Sequence, residues 1–232
     1  MKGMKKVVRG FISVTMLFAL SFSTVKVEAA LSQKDVQGIQ LVSEDKIGEL
    51  TNAIDYEREY IRAKAGVSDL PVTKEMLDAC EASITDSNGN KENLNVYATV
   101  KKLGQVQRSN SLRNIYTVSV FASTKTDSGS AQESNTIAYG SVTWIDNFGF
   151  GNELVSVSGG WAPGYQDQLA GRAVEYGANT NDPDSRASKS PSGNEYSYEG
   201  NSKMIGLVMF LDSYVSVNGN ILRLRVVGSI LS

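Results

Sequence analysis

The stretch KMIGLVMFLDSYVSVNGNILRLRVVGSI, residues 203–230, decides the fold of this chain. Two apolar, alternating runs, 203–216 and 220–230, flank the dipeptide Asn218-Gly219. Asn-Gly between such runs is the strongest short hairpin signal, because both residues tolerate the positive φ angles of a type I′ turn. These runs are the most apolar of the predicted strands, so we predict that they pair and form the centre of a sheet.

The same alternation extends upstream of this hairpin, through a region rich in Ser, Thr, Val, Tyr and Gly. A parallel α/β fold would need helical patterns between the strands, and polar turns stand there instead. We therefore predict a mainly β fold, an antiparallel β-sandwich of about eight strands with an N-terminal helical segment (α+β overall). Segment 177–193 lacks periodicity and is predicted to be a long exposed loop. The six further predicted strands are 94–102, 114–124, 135–145, 153–159, 171–176 and 194–199.

The N-terminal part of the mature chain has a different composition, charged and helix-prone. Its pattern predicts one helix from about Glu44 to Ala65, with acidic residues in the first turn and basic residues in the last. A second helix is predicted from about Lys74 to Ile84. An alternative is that this part acts as a removable pro-segment. The predicted organisation is a signal peptide at 1–29, a helical segment at 30–93 and a β-sandwich domain at 94–232.

The first 29 residues have the layout of a secretory signal peptide. Four basic residues precede the apolar run FISVTMLFALSF at 11–22, and the small residues Val27 and Ala29 precede Ala30. A membrane-spanning helix needs about 20 apolar residues, and this run is shorter. We expect a protein that is secreted, extracellular or loosely associated with the cell surface, with no transmembrane anchor after cleavage.

Composition excludes several kinds of chemistry. The chain has no His and one Cys, so Ser-His-Asp catalysis, His-ligated metal sites and intramolecular disulfides are excluded. Removal of residues 1–29 leaves 18 basic and 24 acidic residues, a net charge of −6. We expect no nucleic-acid partner, because such binding depends on Lys and Arg. A signal peptide without a disulfide framework favours a bacterial source.

Aromatic residues beside Gly-, Ser- and Asn-rich turns are the predicted ligand-binding residues. Aromatic faces with nearby amide side chains are typical of sugar-binding surfaces. The alternative is that these rings are ordinary strand residues with one buried face. The predicted residues are Trp161, Tyr165, Tyr176, Tyr196 and Tyr198.

Two further kinds of chemistry stay open as alternatives. A glycan hydrolase needs two carboxyl groups across a cleft, and the sequence does not say which acids approach one another. The candidates for that role are Asp146, Glu153, Asp167, Glu175 and Asp212. We expect no cofactor, with calcium as the alternative at the oxygen-bearing residues Asn179, Asn181, Asp182 and Asp184.

Residues 114–144 also match the pattern of a membrane-inserting hairpin, with apolar and Ser/Thr residues alternating around a polar linker. The same pattern describes any half-exposed pair of sandwich strands. We predict a secreted, non-enzymatic protein that binds a cell-envelope or extracellular ligand, carbohydrate being one candidate. Its partner would be a cell-wall polysaccharide or a surface protein. The alternatives are a membrane-active β pore-forming protein and a carboxylate-dependent glycan hydrolase, and the oligomeric state stays open.

Overall fold

The computed structural model describes residues 41–52, 54–124, 135–147 and 151–229. These residues belong to one compact unit, Ile39–Ser232, and form a mainly β structure of two sheets with few helices. The predicted signal peptide lies outside the described residues. Among the helices of the described ranges, none is long and apolar enough to cross a membrane.

The first sheet, sheet A, has the order β1-β4-β5-β6-β7-β10, and the short β11 also pairs with β7. Its strands are antiparallel except that β1 runs parallel to β4. The strands of sheet A are β1 (Leu41–Val42), β4 (Val96–Arg108), β5 (Ser111–Ser123), β6 (Ile137–Asp146), β7 (Asn152–Ala162), β10 (Glu195–Glu199) and β11 (Ile205–Gly206).

The second sheet, sheet B, has the order β3-β2-β13-β12-β8-β9 and is antiparallel. The predicted C-terminal hairpin is confirmed as β12 and β13, which are the two central strands of this sheet. Asn218 and Gly219 have φ angles of 52° and 90°, as a type I′ turn requires. The strands of sheet B are β2 (Glu81–Thr85), β3 (Lys91–Asn93), β8 (Leu169–Ala178), β9 (Arg186–Lys189), β12 (Val208–Val217) and β13 (Asn220–Ser229).

The inner faces of the two sheets form the hydrophobic core. Alternate residues of β5, β6, β12 and β13 are fully buried there, among them Val118, Trp144, Leu211 and Leu224. At Gly228 a Cβ atom would lie 2.8 Å from the Trp144 ring. Since that distance is shorter than van der Waals contact allows, a glycine at this position makes room for the largest core side chain.

Three short helices are described, α1 (Ile47–Asn52), α2 (Tyr56–Lys64) and α3 (Lys74–Ala79). The single helix predicted from Glu44 to Ala65 is thus divided. A 3₁₀ turn, Glu44–Lys46, precedes α1, and Asp55 begins α2 by accepting a hydrogen bond from the Arg58 amide at 3.1 Å. A side-chain cap inside the predicted helix therefore starts a new one.

The second predicted helix ends at Ala79, and residues up to Ile84 are strand instead. Strand β2 pairs with β13, and this pairing buries Ala82 opposite Leu224. Pairing with the centre of the sheet outweighs the weak helix propensity of this stretch.

Part of the segment 177–193 also differs from its prediction as a loop. After a 3₁₀ turn, Pro183–Ser185, the chain forms β9 along β8. The Ser185 side chain is buried and donates to the Ala178 carbonyl at 3.1 Å. This anchor returns the chain to the sheet, so that β9 becomes its edge strand.

The chain that follows α2 covers the open edge of β4. The Ser68 hydroxyl donates to the Val100 carbonyl at 3.0 Å and accepts from the Val100 amide at 2.7 Å. The Leu70 amide donates to the same carbonyl at 3.1 Å. A side chain and a loop amide thus replace a neighbouring strand at this point of sheet A.

Candidate functional site

The structure places four of the five predicted ligand-binding rings at the inner faces of the sheets. Trp161, Tyr176 and Tyr196 are buried, and Tyr198 is half-buried. Trp161 and Tyr196 pack with ring centroids 5.2 Å apart, and Tyr176 stacks on Tyr198 at 5.6 Å. Tyr165 differs, because its ring is fully exposed. The exposed Tyr165 ring can contact a ligand directly. A binding role for the other four rings stays a prediction.

Glycines of sheet A make room for one of these rings. A Cβ atom at Gly159 would lie 2.7 Å from the Tyr196 hydroxyl, and one at Gly140 would lie 3.6 Å from it. Burial raises the pKa of Tyr196 far above its ordinary value. The phenol therefore stays neutral, as a core residue should.

The five candidate acids are distributed over different parts of the sandwich. Asp146 is buried at the end of β6, and Glu153 accepts from Arg108 at 3.1 Å. Asp167 binds the Thr136 hydroxyl at 2.7 Å and joins two loops. In contrast, Glu175 and Asp212 are direct neighbours on β8 and β12. The structure brings together only this pair among the five candidates.

Three of the four residues considered for calcium, Asn179, Asp182 and Asp184, have protein partners. The Asp182 carboxylate accepts from the Asp184 amide at 2.9 Å, and Asp184 forms an ion pair with Lys203. Asn179 accepts a long 3.4 Å hydrogen bond from Arg186. Within the described ranges, no group of three or more acidic or Cys side chains is arranged to hold a metal ion.

The outer face of sheet B carries a cluster that the sequence analysis did not single out. Even-numbered residues of β12 point outward there, since the odd-numbered ones belong to the core. Register places Asp212 between Glu175 of β8 and Arg225 of β13, and Tyr214 beside Arg223. We call this surface the arginine face; it consists of Arg186, Phe210, Asp212, Tyr214, Arg223 and Arg225.

Asp212 is the centre of this cluster. Its side chain is only 7% exposed, and it accepts from Arg223 at 2.8 and 3.1 Å and from Arg225 at 3.1 Å. Burial lowers the pKa of Arg223, but the hydrogen bonds and charge of Asp212 outweigh it and raise that pKa. Two guanidiniums hold this buried carboxyl group, and it fixes both arginines on the sheet.

Phe210 lies between two guanidiniums at one end of the face. Arg186 and Arg225 lie 5.5 and 5.8 Å from its ring centroid, within the range of cation–π attraction. Arg186 reaches the ring across Gly177, which stands between them in the register and has no side chain. Tyr214 has a similar contact with Arg223 at 5.7 Å.

These side chains line an open polar cavity of about 260 Å³, together with Glu175 and Asn179. A second cavity of about 270 Å³ shares Glu175 and Tyr214 and continues the groove to Lys189. A larger groove of about 760 Å³ lies near Leu41, but no aromatic ring lines it. Among the described cavities, the one at the arginine face therefore combines the most charged and aromatic side chains.

The sequence contained one signal for this site. Arg223 and Arg225 alternate with buried leucines in β13, and Asp212 interrupts the apolar run of β12. In a sheet whose other face is core, such charges must lie on the opposite face. Arg186 gave no comparable signal, because its strand was predicted to be a loop.

The outer face of sheet A is different in character. Two rows of hydroxyl side chains cross it, and α2 packs over them, whereas α1 packs on an apolar cluster of the same sheet that includes Ile47, Ile115 and Ile145. Ser119 and Ser141 share a 2.7 Å hydrogen bond, and the Tyr56 hydroxyl of α2 reaches Ser158 at 2.7 Å. The two rows are Thr99, Ser119, Ser141, Ser158 and Ser197, and Thr117, Thr143 and Ser156.

A buried carboxylate fastens α2 to these rows. Glu59 is 2% exposed, accepts from the Thr99 hydroxyl at 3.0 Å and pairs with Lys101 at 2.5 Å. Arg62 lies 3.9 Å from Glu59 and forms an ion pair with Asp69. These contacts add charge and hydrogen bonds to the packing of Tyr56 and Tyr60 on the Phe121 ring.

This hydroxyl surface includes the hairpin considered for membrane insertion, residues 114–144. Its strands are β5 and β6, and its linker 125–134 lies outside the described residues. In β5 the apolar residues Val118 and Val120 face the core, whereas Thr117 and Ser119 face α2. Membrane insertion of this hairpin stays a prediction.

The fold and the arginine face together define the class of structure: a two-sheet β-sandwich with a charged and aromatic groove on the outer face of sheet B. Comparisons of the chain with protein-family models, with curated proteins and with solved structures find no match.

Proposed function

We propose that the protein is a secreted, non-enzymatic binding protein, and that the arginine face holds its cell-envelope or extracellular ligand. One observation carries this proposal: three guanidiniums, the half-buried Tyr214 ring and the buried Phe210 ring line one open groove across β9, β8, β12 and β13 of sheet B. The composition of residues 1–29 supports export.

The chemistry of the groove suits a carbohydrate polymer. The half-buried Tyr214 ring offers a face for the C–H groups of a sugar. Guanidiniums are planar donors that bind hydroxyl, carboxylate or phosphate oxygens. Because strands hold all of these groups, the surface is rigid before ligand arrives, which reduces the entropic cost of binding.

Sedimentation with isolated Gram-positive cell walls tests this function. We expect saturable sedimentation of the purified chain, and at least a tenfold weaker affinity for Tyr214→Ala. The matched control is Tyr165→Ala, which removes the exposed ring of the sequence-predicted site. Circular dichroism and thermal melting check that both variants fold. No sedimentation, or loss of binding in Tyr165→Ala alone, contradicts the proposal.

A glycan hydrolase is the second candidate, and the pairing of Glu175 with Asp212 favours it. Directly opposite residues of antiparallel strands have Cβ atoms about 4.5–5.5 Å apart. Asp212 would be the charged partner because two arginines hold it, and Glu175 would be the acid. Release of reducing ends from a glycan panel, lost in Glu175→Gln, would support this candidate over the first.

A further inference from the structure

We propose that the ligand carries an anionic group, a carboxylate or a phosphate, and that Arg186 and Arg225, whose guanidiniums lie over the buried Phe210 ring, hold this group. This inference rests on the proposed function, because it names the chemistry of the ligand for the same groove.

Most donors of these two guanidiniums have no acceptor in the described part of the chain. A guanidinium has five N–H donors. Arg186 uses one of them, in the 3.4 Å contact with Asn179, and Arg225 uses one at 3.1 Å to Asp212. Both guanidiniums lie within 6 Å of the Phe210 centroid. Since both arginines line the same cavity, an anion in it meets unused donors of each.

The charges along the groove place this anion at the Phe210 end. Arg223 is occupied there by two hydrogen bonds to Asp212. Glu175 lines the same cavity from β8, on the opposite side of Asp212 from Arg225, so its carboxylate disfavours an anion on the β8 side. Arg186 and Arg225 supply the unused positive groups of this cavity, and Asp212 and Glu175 are its negative groups.

This arrangement also limits which anionic polymers fit. After removal of residues 1–29 the chain has a net charge of −6, so its overall field repels polyanions. That repulsion is screened beyond about 8 Å at physiological ionic strength, and close contacts with the two arginines survive it. A polymer with separated anionic groups fits better than a densely charged one, because Glu175 disfavours a second charge nearby.

The groove needs little rearrangement to hold such a group. Gly177 has a φ angle of 154°, and a Cβ atom there would lie 2.1 Å from the Ser185 carbonyl oxygen. A glycine at this point lets β9 approach β8 and lets Arg186 reach Phe210. Asp212 holds Arg225 from the other side. Asp212 therefore positions Arg225 in the absence of ligand, and the strand register brings Arg186 to the same ring.

The test uses four preparations of Gram-positive cell walls. They are untreated walls, walls stripped of phosphate polymers, walls with amidated carboxylates, and walls treated in both ways. We expect the purified chain to bind untreated walls and to lose at least tenfold in affinity on the doubly treated walls. The single treatment that causes the loss identifies phosphate or carboxylate as the anionic group.

Variants show whether the two arginines are responsible. Arg186→Gln/Arg225→Gln should bind untreated walls at least tenfold more weakly than the wild type. The matched control, Lys74→Gln/Lys91→Gln, removes the same charge from exposed positions away from the groove and should bind normally. Arg225→Lys keeps the charge and loses the planar donors, so it should bind with intermediate affinity. Thermal melting confirms that each variant is folded.

The outcomes separate this inference from the proposed function. Undiminished binding to doubly treated walls overturns the anionic group and leaves the binding function in place. Equal weakening of the glutamine pair and the lysine control also overturns it, because overall charge would then explain binding. If untreated walls bind nothing, both the inference and the proposed function are wrong.

Discussion

The outer faces of the two sheets differ although their inner faces form one core. Sheet A presents rows of uncharged hydroxyls, such as Ser119 and Ser141, and α2 covers them. Sheet B presents arginines, acids and aromatic rings, and its groove is open. Hydroxyls can donate and accept at short range, which suits a face covered by protein. Exposed charges such as Arg186 keep much of their hydration on an open face. The two outer faces thus differ in composition as well as in cover.

The largest loss of stability is expected when the buried charge that fastens α2 to sheet A is removed. Glu59→Gln should lower the free energy of unfolding by about 3 kcal/mol, because Arg62 and Lys101 lose a buried partner. Urea denaturation measures it. Glu57→Gln on the exposed side of the same helix should change stability by less than about 0.5 kcal/mol. Equal effects of the two variants would mean that the buried ion pairs do not fasten α2.

Stability at high pH tests the burial of Cys80, which lies between the end of α3 and strand β13 of sheet B. Burial raises the pKa of the Cys80 thiol to about 11, and its sulfur accepts from the Val227 amide at 3.4 Å. The folded state therefore holds the proton up to a higher pH than the unfolded state does, whose thiol titrates near 9. Stability from the neutral thiol is complete below pH 9 and is lost as pH rises through 11.

The expected loss is about 2 kcal/mol between pH 8 and pH 11, relative to Cys80→Ala. Buried tyrosines such as Tyr56 and Tyr196 also have raised pKa values, and they affect both proteins alike. Denaturant melts of the two proteins across this range give the difference. If the stabilities of the two proteins changed equally with pH, Cys80 would be accessible to solvent rather than buried.

The hydroxyl rows can be examined with a double-mutant cycle. Ser119→Ala or Ser141→Ala alone should cost about 1 kcal/mol of stability, because each leaves a buried hydroxyl without its 2.7 Å partner. The double variant should cost less than the sum of the two, because no orphan remains. Additive losses would indicate that water reaches these hydroxyls and that α2 covers them loosely.

The smallest effect is expected on the open face. Arg186→Gln should change the free energy of unfolding by less than about 0.5 kcal/mol, since its one hydrogen bond is long and its side chain is exposed. Thermal or urea unfolding measures this change. A loss above 1 kcal/mol would make Arg186 a structural residue and would remove the contrast with the covered face.

Most of the fold could be predicted from local patterns. Alternation located the long strands, and Asn218-Gly219 located the central hairpin, because both signals depend on residues close in sequence. Strand β2 and the division of the long helix could not be predicted in this way. Ala82 is in a strand because Leu224, far along the chain, pairs with it.

The candidate site was harder to predict, because its residues meet only through register. Arg186 and Phe210 are separated by Gly177 on a third strand. The burial of Tyr196 and Tyr198 did have a local signal: in the sequence EYSYE both rings alternate with polar residues and share one face. Proximity to turns drew attention to these rings, whereas alternation places them toward the core.

The hydroxyl of Ser68 has a consequence for how copies of this protein behave at high concentration. An unpaired stretch of strand is a template on which another chain can add, and such addition leads to aggregation. Ser68 occupies both backbone groups of Val100, so an incoming chain must first displace it. Together with the Leu70 amide, this small side chain protects the edge of β4 at Val100 against the addition of another chain.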